Sequence, residues 1–199
     1  AYHDGRIGDY PVNYEIGVST WWDIGLNDMM TIWFTQDIGG WINIIDYYEN
    51  SGEGWAFYAD ELAKKKYLYL EHVAPHDIAV RVLTQTVEER WEQAASVGLL
   101  FRKVKRPQKK IDSINQARNL FPICRFDQSR CAVGLERLTN YRKAYNKMTG
   151  AYSDHPRKDD NCHGSDAYQT LALGHSEAQF SSTAVHFPKV VPANWAGYV

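Results

Sequence analysis

Short apolar runs separated by turn residues open the chain. Residues 15–23, EIGVSTWWD, are rich in β-branched and aromatic side chains and end at the turn-like IGLND. Residues 29–36 and 41–48 have the same character, and the glycine pair at 39 and 40 separates them. We therefore expect the domain to begin with three antiparallel strands.

Helical and strand-like patterns alternate after this opening. Helices are predicted at 55–66, 86–97, 109–120 and 131–145, strands at 67–73 and 100–104, and the segment FPICRFD separates the last two helices. A helical crossover between the strands at 67–73 and 100–104 implies a parallel pair in a mixed sheet. This order matches an α/β, ribonuclease-H-like layout, in which the first strand lies beside the fourth.

Composition and length suit one domain followed by a tail. The chain has 199 residues, of which 44% are hydrophobic, enough for one sizeable core. We expect residues 1–175 to form this domain. Residues 176–199 contain two prolines and many small side chains, so we expect a tail that packs on the surface or contacts a partner.

The cellular setting follows from what the sequence contains. No apolar run approaches the roughly 18 residues of a membrane-spanning helix, and the first ten residues do not resemble a signal peptide. We expect neither secretion nor membrane insertion. The three cysteines, Cys124, Cys131 and Cys162, cannot all pair with one another and form no C-x-x-C unit, which favours a reducing compartment.

Attraction to nucleic acid would have to be local, because the formal net charge is −2. One segment, RKVKRPQKK, concentrates positive charge. A DNA-backbone contact and a solvated loop are equally compatible with this pattern. The candidate DNA-binding residues are Arg102, Lys103, Lys105, Arg106, Lys109 and Lys110.

Three acidic residues lie where predicted elements would bring them to one end of the sheet. Asp23 ends the first strand and Asp77 follows the fourth, and neighbouring strands are about 4.8 Å apart. Asp166 belongs to a late helix, HGSDAYQTLALG, and His163 precedes it by three residues, so both share one helix face. Taken singly, each aspartate is more often a turn or cap residue, but the conjunction with the strand order favours a site.

Clustered carboxylates of this kind suit phosphodiester hydrolysis. Two metal ions about 3.5 to 4 Å apart activate a water molecule and neutralise the leaving oxygen. Hard oxygen ligands favour Mg²⁺ or Mn²⁺. On this hypothesis Asp23 bridges two such ions, Asp77 holds one, and Asp166 with His163 completes the other.

Other residues compete for these roles. Glu71 would replace Asp77 if the fourth strand were shorter, and Asp46 on the third strand is a secondary or structural carboxylate. Asp28 is expected in a turn. His72 and His76 flank Asp77, where orienting it, binding phosphate or a purely structural role are all open. Possible phosphate contacts, with surface ion pairs as the alternative, are Arg81, Arg125 and Arg130.

Five segments carry a resemblance to a known family. In order along the chain, WWDIGLND, IIDYYE, HVAPHD, GLERLTNYR and CHGSDAY are similar to the nuclease domain of tailed-phage large terminases. The resemblance covers most of the chain. It implies that Asp23, Asp77, His163 and Asp166 hold divalent metal and that the domain cuts concatemeric double-stranded viral DNA during packaging.

The same resemblance implies partners and a location. These are the terminase ATPase domain, the small terminase subunit and the portal protein, at the procapsid portal in the host cytoplasm. The chain contains no G-x-x-x-x-G-K-[ST] loop, so we expect an excised endodeoxyribonuclease domain without ATPase activity. Two alternatives stay open: another ribonuclease-H-like nuclease of resolvase or transposase type, or a non-catalytic module that docks on DNA or the portal.

Overall fold

A central sheet with helices on both faces organises the chain. The computed structural model describes residues 4–25, 28–76 and 90–182. The strands are β1 (Ile7–Gly8), β2 (Val18–Asp23), β3 (Met29–Ile38), β4 (Trp41–Ser51), β5 (Tyr69–Ala74), β6 (Phe101–Lys103), β7 (Cys124–Asp127), β8 (Lys143–Asn146) and β9 (Ala151–Pro156). The helices are α1 (Trp55–Lys65), α2 (Arg90–Ser96), α3 (Lys110–Leu120), α4 (Ala132–Asn140) and α5 (Asn161–Ser182).

The main sheet is mixed and has the order β1-β7-β4-β3-β2-β5-β6. Strands β2, β3 and β4 are antiparallel, whereas β5 pairs parallel with β2 and β6 parallel with β5. This confirms the predicted three-strand opening and the placement of the first predicted strand beside the fourth. Strands β8 and β9 form a separate hairpin.

Neighbouring residues of the central strands fill two different cores. Trp21 packs with Trp33 on the face that α3, α4 and α5 cover, while Trp22 packs with Phe34 on the face of α1 and α2. Since side chains alternate across a strand, a strand buried on both faces is apolar at nearly every position. This accounts for the adjacent large apolar residues of these strands, such as Trp21 and Trp22 in β2 and residues 32–34 in β3.

One prediction near the end of the chain is wrong, and one strand was not predicted. The helix predicted at 131–145 stops at Asn140, where Tyr141 is extended, and residues 143–146 form β8 instead. The segment FPICRFD contains a short 3-10 turn and then β7, which lies between β1 and β4. Both strands were missed because β7 and β8 are short and their pairing partners are distant in the sequence or lie across a turn.

Helix α5 continues beyond residue 175, where we expected the domain to end. Residues 176–182 belong to α5, and Glu177 accepts a hydrogen bond from the Lys105 backbone N–H (2.7 Å). The rest of the predicted tail, 183–199, lies outside the described residues, as do Asp77, Arg81 and the first part of the helix predicted at 86–97. No helix in the described part of the chain is long and apolar enough to span a bilayer.

Candidate metal centre

Asp23 lies at the end of β2, where the sheet opens to solvent. Across the sheet it pairs with Thr31 of β3, which in turn pairs with Glu49 of β4. A row of polar residues therefore crosses three antiparallel strands at one edge. The aromatic residues that precede Asp23, Trp21 and Trp22, are buried on opposite faces and fix the strand that carries it.

Two buried side chains of β3 anchor the start of α5 above this row. The Thr31 hydroxyl donates to the His163 carbonyl (2.9 Å), and the Trp33 indole N–H donates to the Gly164 carbonyl (2.8 Å). A Cβ atom at Gly164 would lie 2.8 Å from both the Tyr47 hydroxyl oxygen and Arg137 Cβ. Glycine at this position thus permits the close approach that places His163 over Asp23.

His163 lies between two carboxylates. Its Nδ1 is 3.2 Å from Asp23 Oδ2, and its Nε2 is 3.4 Å from Asp28 Oδ1. The hydrogen bond to Asp23, with the nearby charges of Asp28 and Asp166, raises the pKa of His163 above its usual value despite partial burial. The imidazole of His163 therefore keeps its proton to a higher pH than an ordinary histidine does.

Asp166 lies one turn farther along α5 and forms an ion pair with Lys110. Its Oδ1 accepts from the Lys110 ammonium (2.7 Å) and from Gln169 Nε2 (3.0 Å). The Ser113 hydroxyl lies 2.7 Å from Gln169 Oε1. Asp166 is consequently tied to α3 as well as to its own helix.

These side chains share one large cleft of about 1020 Å³. It is lined by acidic and basic groups together with a few apolar ones. The lining residues are Asp23, Ile24, Gly25, Asp28, Lys110, His155, Pro156, Lys158, Asp159, Asp160, Cys162, His163 and Asp166. The cleft therefore contains three of the four residues predicted to hold metal.

A second cavity of about 340 Å³ lies between α3, α4, α5 and the β8–β9 hairpin. Its lining is mainly apolar, with Ile114, Phe121 and Leu138 among the contributing side chains. The acidic groups that suit metal chemistry line the larger cleft, so we take that cleft as the candidate centre.

The donor set of the cleft fits a hard divalent cation. Asp23, Asp28 and Asp166 offer carboxylate oxygens, the ligands that Mg²⁺ and Mn²⁺ prefer. Within the residues that the structure describes, no three His, Cys, Asp or Glu side chains come close enough together to share one ion. His163 and Lys110 occupy oxygens of Asp23 and Asp166 instead, and Asp77 is outside the described range.

The secondary carboxylate candidates lie elsewhere in the described structure. Glu71 forms a two-pronged ion pair with Arg102, at 2.7 and 3.2 Å. Asp46 is buried and accepts from the Lys65 ammonium (2.5 Å) and the Tyr67 hydroxyl (3.0 Å). Both carboxylates therefore have structural ion pairs, and neither belongs to the described lining of the cleft.

The two histidines that flank Asp77 in the sequence, His72 and His76, have different surroundings. His72 is inside the sheet beside Thr20, 2.7 Å from its hydroxyl, and burial lowers the pKa of His72 to about 4. It is thus a neutral structural histidine. His76 is exposed just after β5.

The basic segment divides into paired and exposed residues. Arg102 is held by Glu71 and Glu177, and Lys110 by Asp166. The other residues of the segment are exposed, Lys103 at the end of β6 and three more before α3: Lys105, Arg106 and Lys109. Of the separate arginines, Arg125 stacks over the Trp41 ring (3.9 Å), and the backbone N–H of Arg130 donates a hydrogen bond to Asp127 Oδ1 (2.8 Å).

Sequence reasoning missed several residues around the centre. Asp28 lies in a bend, as expected, but it also faces His163. Glu49, in the segment IIDYYE, is held by Arg137 (2.6 Å) and Tyr47 (2.6 Å); burial alone would raise its pKa, but these hydrogen bonds outweigh burial and lower it. The strand register was the one signal for Glu49, since it aligns Asp23, Thr31 and Glu49.

The comparisons with known proteins bear on the fold. No family model matches the chain, and no curated protein matches it. Among solved structures, the large terminase of a thermophilic bacteriophage aligns with a TM-score of 0.65 and 16% identity, over 85% of this chain and 43% of that one. This chain thus spans less than half the length of that terminase.

Two isolated domains align over most of their own length. The P22 large terminase nuclease domain has a TM-score of 0.63 and 13% identity, over 85% of this chain and 86% of that one. The large terminase nuclease domain of bacteriophage SPP1, solved with bound Mn, has a TM-score of 0.55 and 17% identity, over 85% and 95%. The chain accordingly has the ribonuclease-H-like fold of the large terminase nuclease domains.

Proposed function

We propose that this chain is a metal-dependent endonuclease that cuts double-stranded viral DNA during phage genome packaging. The observation that carries the proposal is the convergence of Asp23, His163 and Asp166 in one cleft, although 140 residues separate Asp23 from His163. The fold shared with phage terminase nuclease domains supports the same conclusion.

The proposed cofactors are two divalent ions, Mg²⁺ or Mn²⁺. When bound, they would supply an activated water and charge neutralisation at the leaving oxygen. Asp23 and Asp166 are the proposed carboxylate ligands in the described part, and Asp77 is the proposed third. His163 orients Asp23 through the 3.2 Å contact between Nδ1 and Oδ2 and is itself a candidate ligand when neutral.

The exposed part of the basic segment is the proposed track for DNA. It leads from β6 to Lys110, the first residue of α3, which lines the cleft. Contacts between Lys or Arg side chains and phosphates position a duplex without reading its sequence. We therefore propose cutting with little intrinsic sequence preference, by a surface that includes Lys105, Arg106 and Lys109.

The biological setting is proposed from the same resemblance. The nuclease would work with an ATPase domain, a small terminase subunit and a portal protein, in the host cytoplasm at the procapsid portal. This chain aligns with 43% of the large terminase of the thermophilic bacteriophage.

The first experiment is cleavage of supercoiled plasmid by the purified chain with Mg²⁺, Mn²⁺ or chelator. We expect metal-dependent nicking and linearisation that Asp23→Asn abolishes, because the substitution removes a charged ligand with little change in volume. Asp60→Asn is the matched control, since Asp60 is exposed on α1, away from the cleft. Cleavage that persists in chelator or in Asp23→Asn would contradict the proposal.

Asp166→Asn tests whether α5 contributes to the same centre. We expect loss of cleavage with an unchanged far-UV circular dichroism spectrum, because Asp166 lies at the cleft surface. Full activity in this variant would remove α5 from the proposed site. In the same assay, preference for branched over plain duplex DNA would favour a resolvase-type nuclease, and DNA binding without cleavage would favour a docking module.

A further inference from the structure

The ion pair between Lys110 and Asp166 places an ammonium group against a proposed metal ligand. The Lys110 Nζ atom is 2.7 Å from Asp166 Oδ1, and the two side chains are 40% and 32% exposed. Solvent therefore reaches the pair, and either partner can exchange it for another ion. Both residues line the cleft in which DNA cleavage is proposed.

The fold aims Lys110 at this carboxylate. Lys110 is the first residue of α3, and the Asp112 carboxylate accepts the Lys109 backbone N–H (2.9 Å) where the helix begins. The Ser113 hydroxyl, buried at the contact between α3 and α5, lies 2.7 Å from Gln169 Oε1. This contact turns the Gln169 amide so that its Nε2 donates to Asp166 Oδ1.

Asp166 Oδ1 thus accepts hydrogen bonds from two donors, one on α3 and one on α5. A divalent ion binds a carboxylate oxygen at about 2.1 Å, so an ion on Oδ1 would lie within a few ångströms of the ammonium group. Two cations at that distance repel. Metal binding at Asp166 therefore competes with Lys110.

We propose that Lys110 is a built-in counter-cation that occupies Asp166 until DNA arrives. A DNA phosphate in the cleft offers Lys110 another anion to pair with. When Lys110 moves to the phosphate, Oδ1 of Asp166 becomes free to bind metal. Lys110 would thereby couple metal affinity to the presence of substrate and limit metal loading of the free nuclease. This inference rests on the proposed function and adds a regulatory residue to it.

Calorimetric titration with MnCl₂, in the absence of DNA, tests the competition directly. Lys110→Met keeps the length of the side chain and removes its charge, and we expect it to bind Mn²⁺ about tenfold more tightly than the wild type. Lys110→Gln should shift the affinity in the same direction. Lys64→Met removes an exposed, ion-paired lysine of α1 that does not line the cleft, and it is the matched control with unchanged affinity.

Addition of a short phosphorothioate duplex, which resists hydrolysis, tests the coupling. We expect the duplex to tighten Mn²⁺ binding to the wild type and to leave Lys110→Met nearly unaffected. Equal Mn²⁺ affinity in Lys110→Met and wild type, or weaker affinity in the variant, overturns the role of Lys110 while metal-dependent cleavage can persist. Absence of Mn²⁺ binding in every variant overturns the metal centre, and with it the proposed function.

Discussion

His163 and Lys110 each hold a carboxylate that is proposed to bind metal. His163 Nδ1 contacts Asp23, and Lys110 Nζ contacts Asp166. Carboxylates gathered in one cleft repel one another unless cations neutralise them. In the described structure Lys110, and His163 when it is protonated, supply this neutralisation from within the protein, and the proposed metal ions would have to exchange with them.

The pKa of His163 is predicted to depend on the carboxylate of Asp23. In metal-free protein its imidazole should titrate above the ordinary value of 6.5, and Asp23→Asn should move the pKa back toward that value, because a neutral amide replaces the charged acceptor. The raised pKa adds stability that is complete below pH 6.5 and is lost as pH rises through the folded-state value. Imidazole proton shifts in NMR spectra measure this, with Asp60→Asn as the control. An identical His163 pKa in Asp23→Asn would contradict the prediction.

The junction of β3 with the start of α5 builds the centre at the scale of elements. Thr31 and Trp33 hold consecutive carbonyls of α5, and both side chains are fully buried. Buried hydrogen bonds of this kind are costly to leave unmade. The helix therefore cannot slide along the sheet without losing them, and His163 and Asp166 keep their places relative to Asp23.

Gly164→Ala tests this junction. The added Cβ would lie 2.8 Å from the Tyr47 hydroxyl and from Arg137 Cβ, so α5 must shift outward. We expect a loss of about 1 to 3 kcal/mol in the free energy of unfolding, measured by urea denaturation, and weaker cleavage. Gly8→Ala is the control, because its Cβ would meet Tyr10 at an ordinary 3.6 Å. Wild-type stability and activity in Gly164→Ala would show that α5 does not depend on this close approach.

At the scale of the whole molecule, the sheet separates two apolar cores, and Asp23, Thr31 and Glu49 lie in one row across β2, β3 and β4 near the end of β2. One core lies under α3, α4 and α5 and the other under α1 and α2. Packing on both faces fixes β2 and β3 independently of the cleft. A carboxylate can therefore be changed at the edge without removing the interactions that hold the fold.

Mn²⁺ is predicted to stabilise the whole domain by mass action. At a concentration about 100 times the dissociation constant, binding to the folded state alone contributes about 2.7 kcal/mol. For a chain of this size that corresponds to a rise in Tm of about 5 to 10 °C. Differential scanning calorimetry should show the rise in the wild type and in Asp60→Asn, and a much smaller one in Asp23→Asn. An equal rise in Asp23→Asn would place the bound metal elsewhere.

The sequence by itself determined the order of the strands from β2 to β6 and the place of Asp23, His163 and Asp166 on their elements. Apolar runs are local signals, so β2, β3, β4 and the parallel pairing of β5 could be predicted from them. The position of Asp23 at a strand end and the three-residue spacing of His163 and Asp166 on a helix are likewise local. These features survive in the structure because burial on both faces of the sheet enforces the same pattern.

The tertiary structure alone decided which charged groups meet. Lys110 pairs with Asp166, whereas Glu71 and Asp46, equally acidic in the sequence, are held by Arg102 and Lys65. Strands β7 and β8 were missed for a related reason, since short strands form only where distant or turn-linked partners complete them. An ion pair or a short strand is stabilised by contacts across the fold, and a local pattern of residue types carries no information about those contacts.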